Sequence, residues 1–150
     1  MRADLEELLY SLLDLHGRKL TLVERLACSI ADKLYYLKTG DTERLSLAVS
    51  EDSPLIELID TLDFDIGAAM DRMAAIAGTD RIGVEKLLRA SGHTGASELL
   101  RIRARIGDEI ANLVEVNDEL VKGMEGLSSS ILADAEALSR LRKVKPVSPP

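Results

Sequence analysis

Residues 106–131 read IGDEIANLVEVNDELVKGMEGLSSSI. The apolar side chains Ile106, Ile110, Leu113, Leu120, Met124, Leu127 and Ile131 fall at alternating spacings of four and three, and polar Asn117 occupies one position of the same stripe. Such spacing averages 3.5 residues, the period that keeps one seam of a long helix against a packed partner. The stretch therefore predicts an α-helical protein whose helices bury against one another.

The same alternation recurs near the N-terminus. Leu20, Val23, Ala27, Ile30, Leu34 and Leu37 continue a stripe begun by Leu5, Leu9, Leu12 and His16. It predicts one helix over residues 3–37, unbroken at Gly17. Lys38-Thr39-Gly40-Asp41 then punctuates the chain. A glycine just past a helix end and an aspartate able to cap the next helix predict a tight antiparallel hairpin. A second long element follows over residues 42–77, with Leu45, Ala48, Leu55, Leu58, Leu62, Ile66, Ala69, Met73 and Ile76 as its apolar stripe. Pro54 interrupts it, either by kinking the helix or because a new helix starts there with Asp52 or Ser53 as cap. Gly78-Thr79-Asp80 ends the element, a short helix spans 82–90, and a last long helix runs over 96–142. The expected fold is all-α: an elongated antiparallel bundle of three long helices and one short connecting helix. Residues 1–142 form its single domain, and 143–150 form a tail that the prolines keep from continuing the helix.

Composition agrees with this class. Of 150 residues 46% are hydrophobic and 30% charged, while aromatics make up only 3%. Leu, Ile and Ala without large aromatics suit helix packing better than a β-sandwich. Net charge is −7, and it is uneven: residues 1–80 carry 16 acidic and 8 basic side chains, residues 81–150 carry 10 and 11. An acidic chain is repelled by phosphate backbones, so no nucleic-acid partner is expected. No apolar run approaches the ~20 residues of a membrane span, and the acidic N-terminus does not read as a secretory signal. The expected compartment is the cytoplasm.

Reactive constellations are scarce. His16 reads as a packed residue and His93 as an exposed one, and neither has metal-ligand spacing to a partner. Cys28 lies near the first apolar stripe and reads as a small buried hydrophobe. Asp60, Asp63, Asp65 and Asp71 read as a solvated acidic face, and Arg101, Arg103 and Arg105 as surface charge. The glycines lack phosphate-loop spacing. No catalytic residue, metal or cofactor is expected. Asn117 reads as a register-setting polar group in an apolar seam, with a polar contact for a partner as the alternative. Met124, Leu127, Ile131, Leu132, Ala135 and Leu138 form an apolar stripe near the chain end. It could receive an amphipathic helix or pack against the first hairpin.

The run Leu34-Tyr35-Tyr36-Leu37-Lys38-Thr39-Gly40-Asp41-Thr42-Glu43-Arg44-Leu45, followed by a long helix, a short connector and a last helix centred on Val116-Asn117-Asp118-Glu119-Leu120, resembles the FlgN-like flagellar export chaperones. The resemblance implies a non-enzymatic cytoplasmic chaperone. It would bind the C-terminal amphipathic helices of hook–filament junction proteins, prevent their premature assembly and deliver them to the flagellar type III export apparatus. The family's C-terminal binding surface corresponds to Leu120, Met124, Leu127, Ile131, Ala135 and Leu138, with Asn117, Gly40 and Asp41 in register and structural roles. The competing expectation is a structural or ligand-sensing bundle that forms a homo-oligomer through the seam.

Overall fold

The computed structural model describes the backbone of residues 1–144 and the side chains of residues 1–127. Five helices follow one another: α1 (Ala3–Thr39), α2 (Thr42–Ala48), α3 (Asp52–Ala77), α4 (Arg81–Ala90) and α5 (Thr94–Val144). The fold is an all-α helical bundle, with no strand among the described residues.

Helix α1 is continuous through Gly17 and ends at Gly40, whose φ of 74° lies in the left-handed region that a Cβ disfavours. The Asp41 carboxylate accepts a hydrogen bond from the Arg44 N–H at 3.1 Å and starts α2. The expected hairpin forms, but α2 lasts only seven residues. The chain breaks at 49–51 rather than kinking, and α3 begins at Asp52 with Pro54 in its first turn, where a missing N–H leaves nothing unpaired. Asp52 is not the cap. Its carboxylate instead accepts from the Ser29 hydroxyl at 2.6 Å and pairs with the buried ammonium of Lys33, fastening the α3 start to α1. Gly78 (φ 68°) closes α3, and Asp80 caps α4 by accepting from the Gly83 N–H at 2.8 Å. The last helix starts two residues earlier and ends two later than the apolar pattern suggested.

Helix α1 is the centre of the bundle. α2, α3 and α5 pack on it, and α3 and α5 make no comparably close approach to each other. Lys19 meets Asp63 and Ser29 meets Asp52, so α3 runs antiparallel to α1. Leu9 lies beside Gly95 and Leu37 beside Gly123, so α5 runs parallel to α1 in an up–down–up arrangement. Two apolar clusters result. One joins Leu8, Leu9 and Leu12 to Met70, Met73, Val84, Leu88, Ala96 and Leu99 at the N-terminal end of α1. The other joins Leu26, Ile30 and Leu120, flanked by half-buried Leu34, Leu37, Leu55, Ile59, Leu113 and Val116. Val23, His16 and Ile106 are buried as well. Two expectations need correction. Cys28 is exposed, because it sits two residues from Leu26 and Ile30, both of which face inward. Leu58 is also exposed, and Met70 and Ala74 take the inward face of α3 instead.

Candidate functional site

The seam of α5 divides along its length and around its circumference. Ile106 and Leu120 are buried and Leu113 is half-buried, whereas Ile110, Val114, Val121 and Met124 are exposed. A straight helix advances about 100° per residue, so a 3.5-residue stripe drifts by about 20° each heptad. The face that meets α1 is therefore centred on Leu113, Val116, Leu120 and Gly123, rotated from the stripe that the spacing suggests. Gly123 marks the close approach to α1, because a Cβ at that position would make one Leu37 methyl group shift.

This geometry corrects the sequence-based site at one residue. Leu120 is buried at 5% exposure against Leu26 and Ile30, so it belongs to the core and offers no surface to a partner. Asn117 is half-buried and lies three residues before Leu120, so the core continues past it. The packed part of α5 reaches Gly123, opposite Leu37, close to where α1 turns at Gly40. The ion pair from Lys38 to Glu119, at 3.0 Å, sits at the same level. Met124 and Leu127 lie just past this level and are exposed at 36% and 40%. The side chains of Ile131, Ala135 and Leu138 lie outside the described residues. The backbone of α5 continues as helix to Val144, about 20 residues or on the order of 30 Å past the turn.

Two other concavities lie along α1. A cavity of about 390 Å³ at the N-terminal end of α1 is lined by Met1, Leu5, Met73, Val84, Leu87 and His93, among others. Its polar groups are already engaged. His93 Nδ1 accepts the Gly95 N–H at 3.0 Å, which leaves the proton on Nε2 to donate to Glu6 Oε1 at 3.1 Å. The Tyr10 hydroxyl donates to the same Glu6 oxygen at 3.2 Å. The hydrogen bonds from His93 and Tyr10 hold the Glu6 carboxyl below its ordinary range, and Glu6 in turn raises the Tyr10 hydroxyl. His93 is thus half-buried and anchors the α4–α5 loop to α1, contrary to its reading as an exposed residue. A second cavity, of about 270 Å³, opens between α1, α3 and α5 beside His16, Lys19, Asp63, Arg103, Ile106 and Gly107. His16 is held below the usual histidine range by burial, while Nδ1 contacts the Leu12 carbonyl oxygen at 2.7 Å.

Of the acidic and basic residues read as surface charge, Asp63, Asp71, Arg103 and Arg105 form ion pairs, while Asp60, Asp65 and Arg101 have none among the described residues. Arg103 meets Glu85, Arg105 meets Glu24, and Asp71 takes a two-point contact from Arg81 at 2.6 and 2.9 Å. Among the described residues no three His, Cys, Asp or Glu side chains gather as metal ligands would. No described helix is long and apolar enough to cross a membrane. Sequence reasoning missed the exposed Ile56, Phe64, Val114 and Val121. Once α1 is placed at the centre, helical periodicity puts Val114 and Val121 on one side of α5. No protein-family model, curated protein or solved structure matches the chain.

Proposed function

We propose that this chain is a non-enzymatic export chaperone of the FlgN-like type, working in the cytoplasm. Its task would be to hold the C-terminal amphipathic helices of hook–filament junction proteins and to hand those subunits to the flagellar export apparatus. The observation that carries the reading is the exposure of Met124 and Leu127 where α5 passes the end of its cover by α1. A helix that continues for several turns with apolar residues at spacings of three and four offers one half of a helix–helix interface. Ile131, Ala135 and Leu138 extend that stripe in sequence. Methionine suits such a surface because its unbranched side chain adapts to different partners. The resemblance around Gly40-Asp41 and Asn117 supplies the cellular context.

Calorimetric titration with a junction-protein C-terminal peptide tests the reading. Wild type is expected to bind. Leu127→Asp and Ile131→Asp are expected to abolish binding while the far-ultraviolet circular dichroism stays unchanged. Absence of binding by wild type to any cognate junction subunit overturns the function, and normal binding by both variants overturns the site.

A further inference from the structure

A further concavity, of about 470 Å³, opens between α1 and α3. It is lined by Arg18 and Leu22 of α1 and by Leu58, Thr61, Leu62 and Asp65 of α3, among others, and by no residue of α5. Leu58 is 53% exposed, and Leu22 and Leu62 are half-buried. Open apolar surface rimmed by polar and charged side chains marks an interaction surface.

The two walls of this concavity carry opposite charge. Lys19 meets Asp63 and Ser29 meets Asp52, which fixes the level of α3 on α1. Arg25 lies six residues on from Lys19 and Glu57 six back from Asp63, so the two share a level. By the same count Arg18 and Asp65 lie within about one residue rise of each other. Arg25 falls within about 20° of Arg18 around α1, and Glu57 stands one turn before Thr61 on α3. Residues 57–65 hold acidic side chains and no basic one. On α1, the one acid of residues 18–25 is Glu24, which turns to Arg105 of α5. Arg18, Arg25, Glu57 and Asp65 are all exposed. Arg18 pairs with Asp14 on its own helix, and the other three have no ion-pair partner among the described residues.

A basic wall beside an acidic wall at one level is self-complementary. A two-fold axis along the groove lays α1 of one copy on α3 of the other without changing the level, so each basic wall meets an acidic one. Every α3 then runs antiparallel to both copies of α1, which is the arrangement of a four-helix bundle. A partner helix edged by one sign of charge would instead meet like charge on one of the two walls. Along the 26 residues of α3, two helices side by side present a face of about 39 by 20 Å. That is on the order of the 800 Å² that a stable dimer buries on each partner.

We propose that the protein forms a two-fold homodimer through the α1–α3 face, with Leu22, Leu58 and Leu62 between the copies and Arg18 and Arg25 of each copy against Asp65 and Glu57 of the other. The contact uses no residue of α5, so it stands or falls apart from the proposed function.

Sedimentation equilibrium of the full chain tests it. Wild type is expected to pass from monomer to dimer as concentration rises, with a dimer that weakens as salt is raised. Arg18→Glu with Arg25→Glu makes the face acidic throughout, and Glu57→Lys with Asp65→Lys makes it basic throughout. Each pair of changes is expected to raise the dissociation constant by about tenfold or more, and mixing the two variants is expected to restore a dimer. Leu58→Asp is expected to dissolve the dimer as well. All five positions are exposed, so an unchanged circular dichroism spectrum accompanies each result. A chain that stays monomeric up to about 1 mM overturns the proposal. A dimer that survives both charge reversals, or a mixture of the two variants that stays monomeric, overturns the wall-to-wall pairing. A dimer dissolved by Val121→Asp and untouched by Leu58→Asp lies on α5, which overturns the face. A monomer whose junction-peptide binding is lost in Leu58→Asp makes a partner helix the occupant, which also overturns the proposal.

Discussion

Truncating Leu120 and Leu127 to alanine separates the core of α5 from its outgoing part. The two leucines lie seven residues apart on one helix and share a sequence pattern, so pattern alone assigns them equal roles. Leu120 is 5% exposed and touches Leu26 and Ile30, and a leucine-to-alanine change at such a site costs about 2–5 kcal/mol. Its cluster borders half-buried Leu34, Leu37, Leu113 and Val116 near the end of α1, where side chains can partly collapse into the space. That favours the lower part of the range, about 2–3 kcal/mol. Leu127 is 40% exposed and lies past the turn of α1, so its truncation removes little buried surface and is expected to cost below about 1 kcal/mol. For a domain of this size each kcal/mol moves the melting temperature by roughly 2–4 °C. Leu120→Ala should therefore lower it by about 4–12 °C, and Leu127→Ala by no more than about 4 °C. Urea titration followed by circular dichroism measures both, and an unchanged m-value certifies that the midpoint shift is a stability change. Equal losses, or a larger loss at Leu127, would refute the placement of the core boundary at Gly123.

Three further outcomes follow from single contacts. Gly17 and Gly107 lie inside helices with open space where a Cβ would stand, so Gly17→Ala and Gly107→Ala should each raise unfolding stability by about 0.5–1 kcal/mol, and a loss at Gly17 in urea titration would argue against a continuous α1. Asp52→Ala strands the buried Lys33 ammonium and should cost about 3 kcal/mol, whereas Lys33→Met with Asp52→Ala should recover a good part of it; additive losses in the double-mutant cycle would show that the pair is uncoupled. Burial holds His16 below the usual histidine value of about 6.5, against the opposing pull of the Leu12 carbonyl, and the nearby Arg103 and Lys19 add to the depression while Asp63 opposes it. The unfolded chain then takes up the proton first, so stability should fall as pH drops below about 6.5, and His16→Gln should flatten that dependence in melts at about pH 7.5 and 5.5.

The helices were legible because their signals are local. Gly40 and Asp41 announce a left-handed stop and a side-chain cap, and both form as their chemistry requires. The three long stripes follow from period alone. What period does not give is which neighbour a stripe meets. The buried Lys33 and Asp52 are invisible to a hydrophobic count, since each is a charge made tolerable only by the other across 19 residues. The same holds for His93, which reads as a loop residue until Glu6, 87 positions away, arrives beside it. Leu120 was misplaced for a related reason. Its spacing from Met124 and Leu127 is regular, but its burial depends on where α1 ends.

That dependence gives α5 two apolar surfaces with different causes. Met124 and Leu127 are uncovered because the chain turns back from α1 at Gly40, so their exposure is a matter of helix length. Along Ile110, Val114 and Val121 exposure arises from rotation, because α3 and α5 sit on different sides of α1 and leave their facing walls apart. The two surfaces are continuous on one helix, since Val121 and Met124 are three residues apart and neighbours on its face. A bound helix that begins at the end of α5 and extends over the bundle would cross both. Losses from Val121→Asp and Leu127→Asp should accordingly add for a long partner helix, whereas a short one that reaches only one surface should feel only one of them.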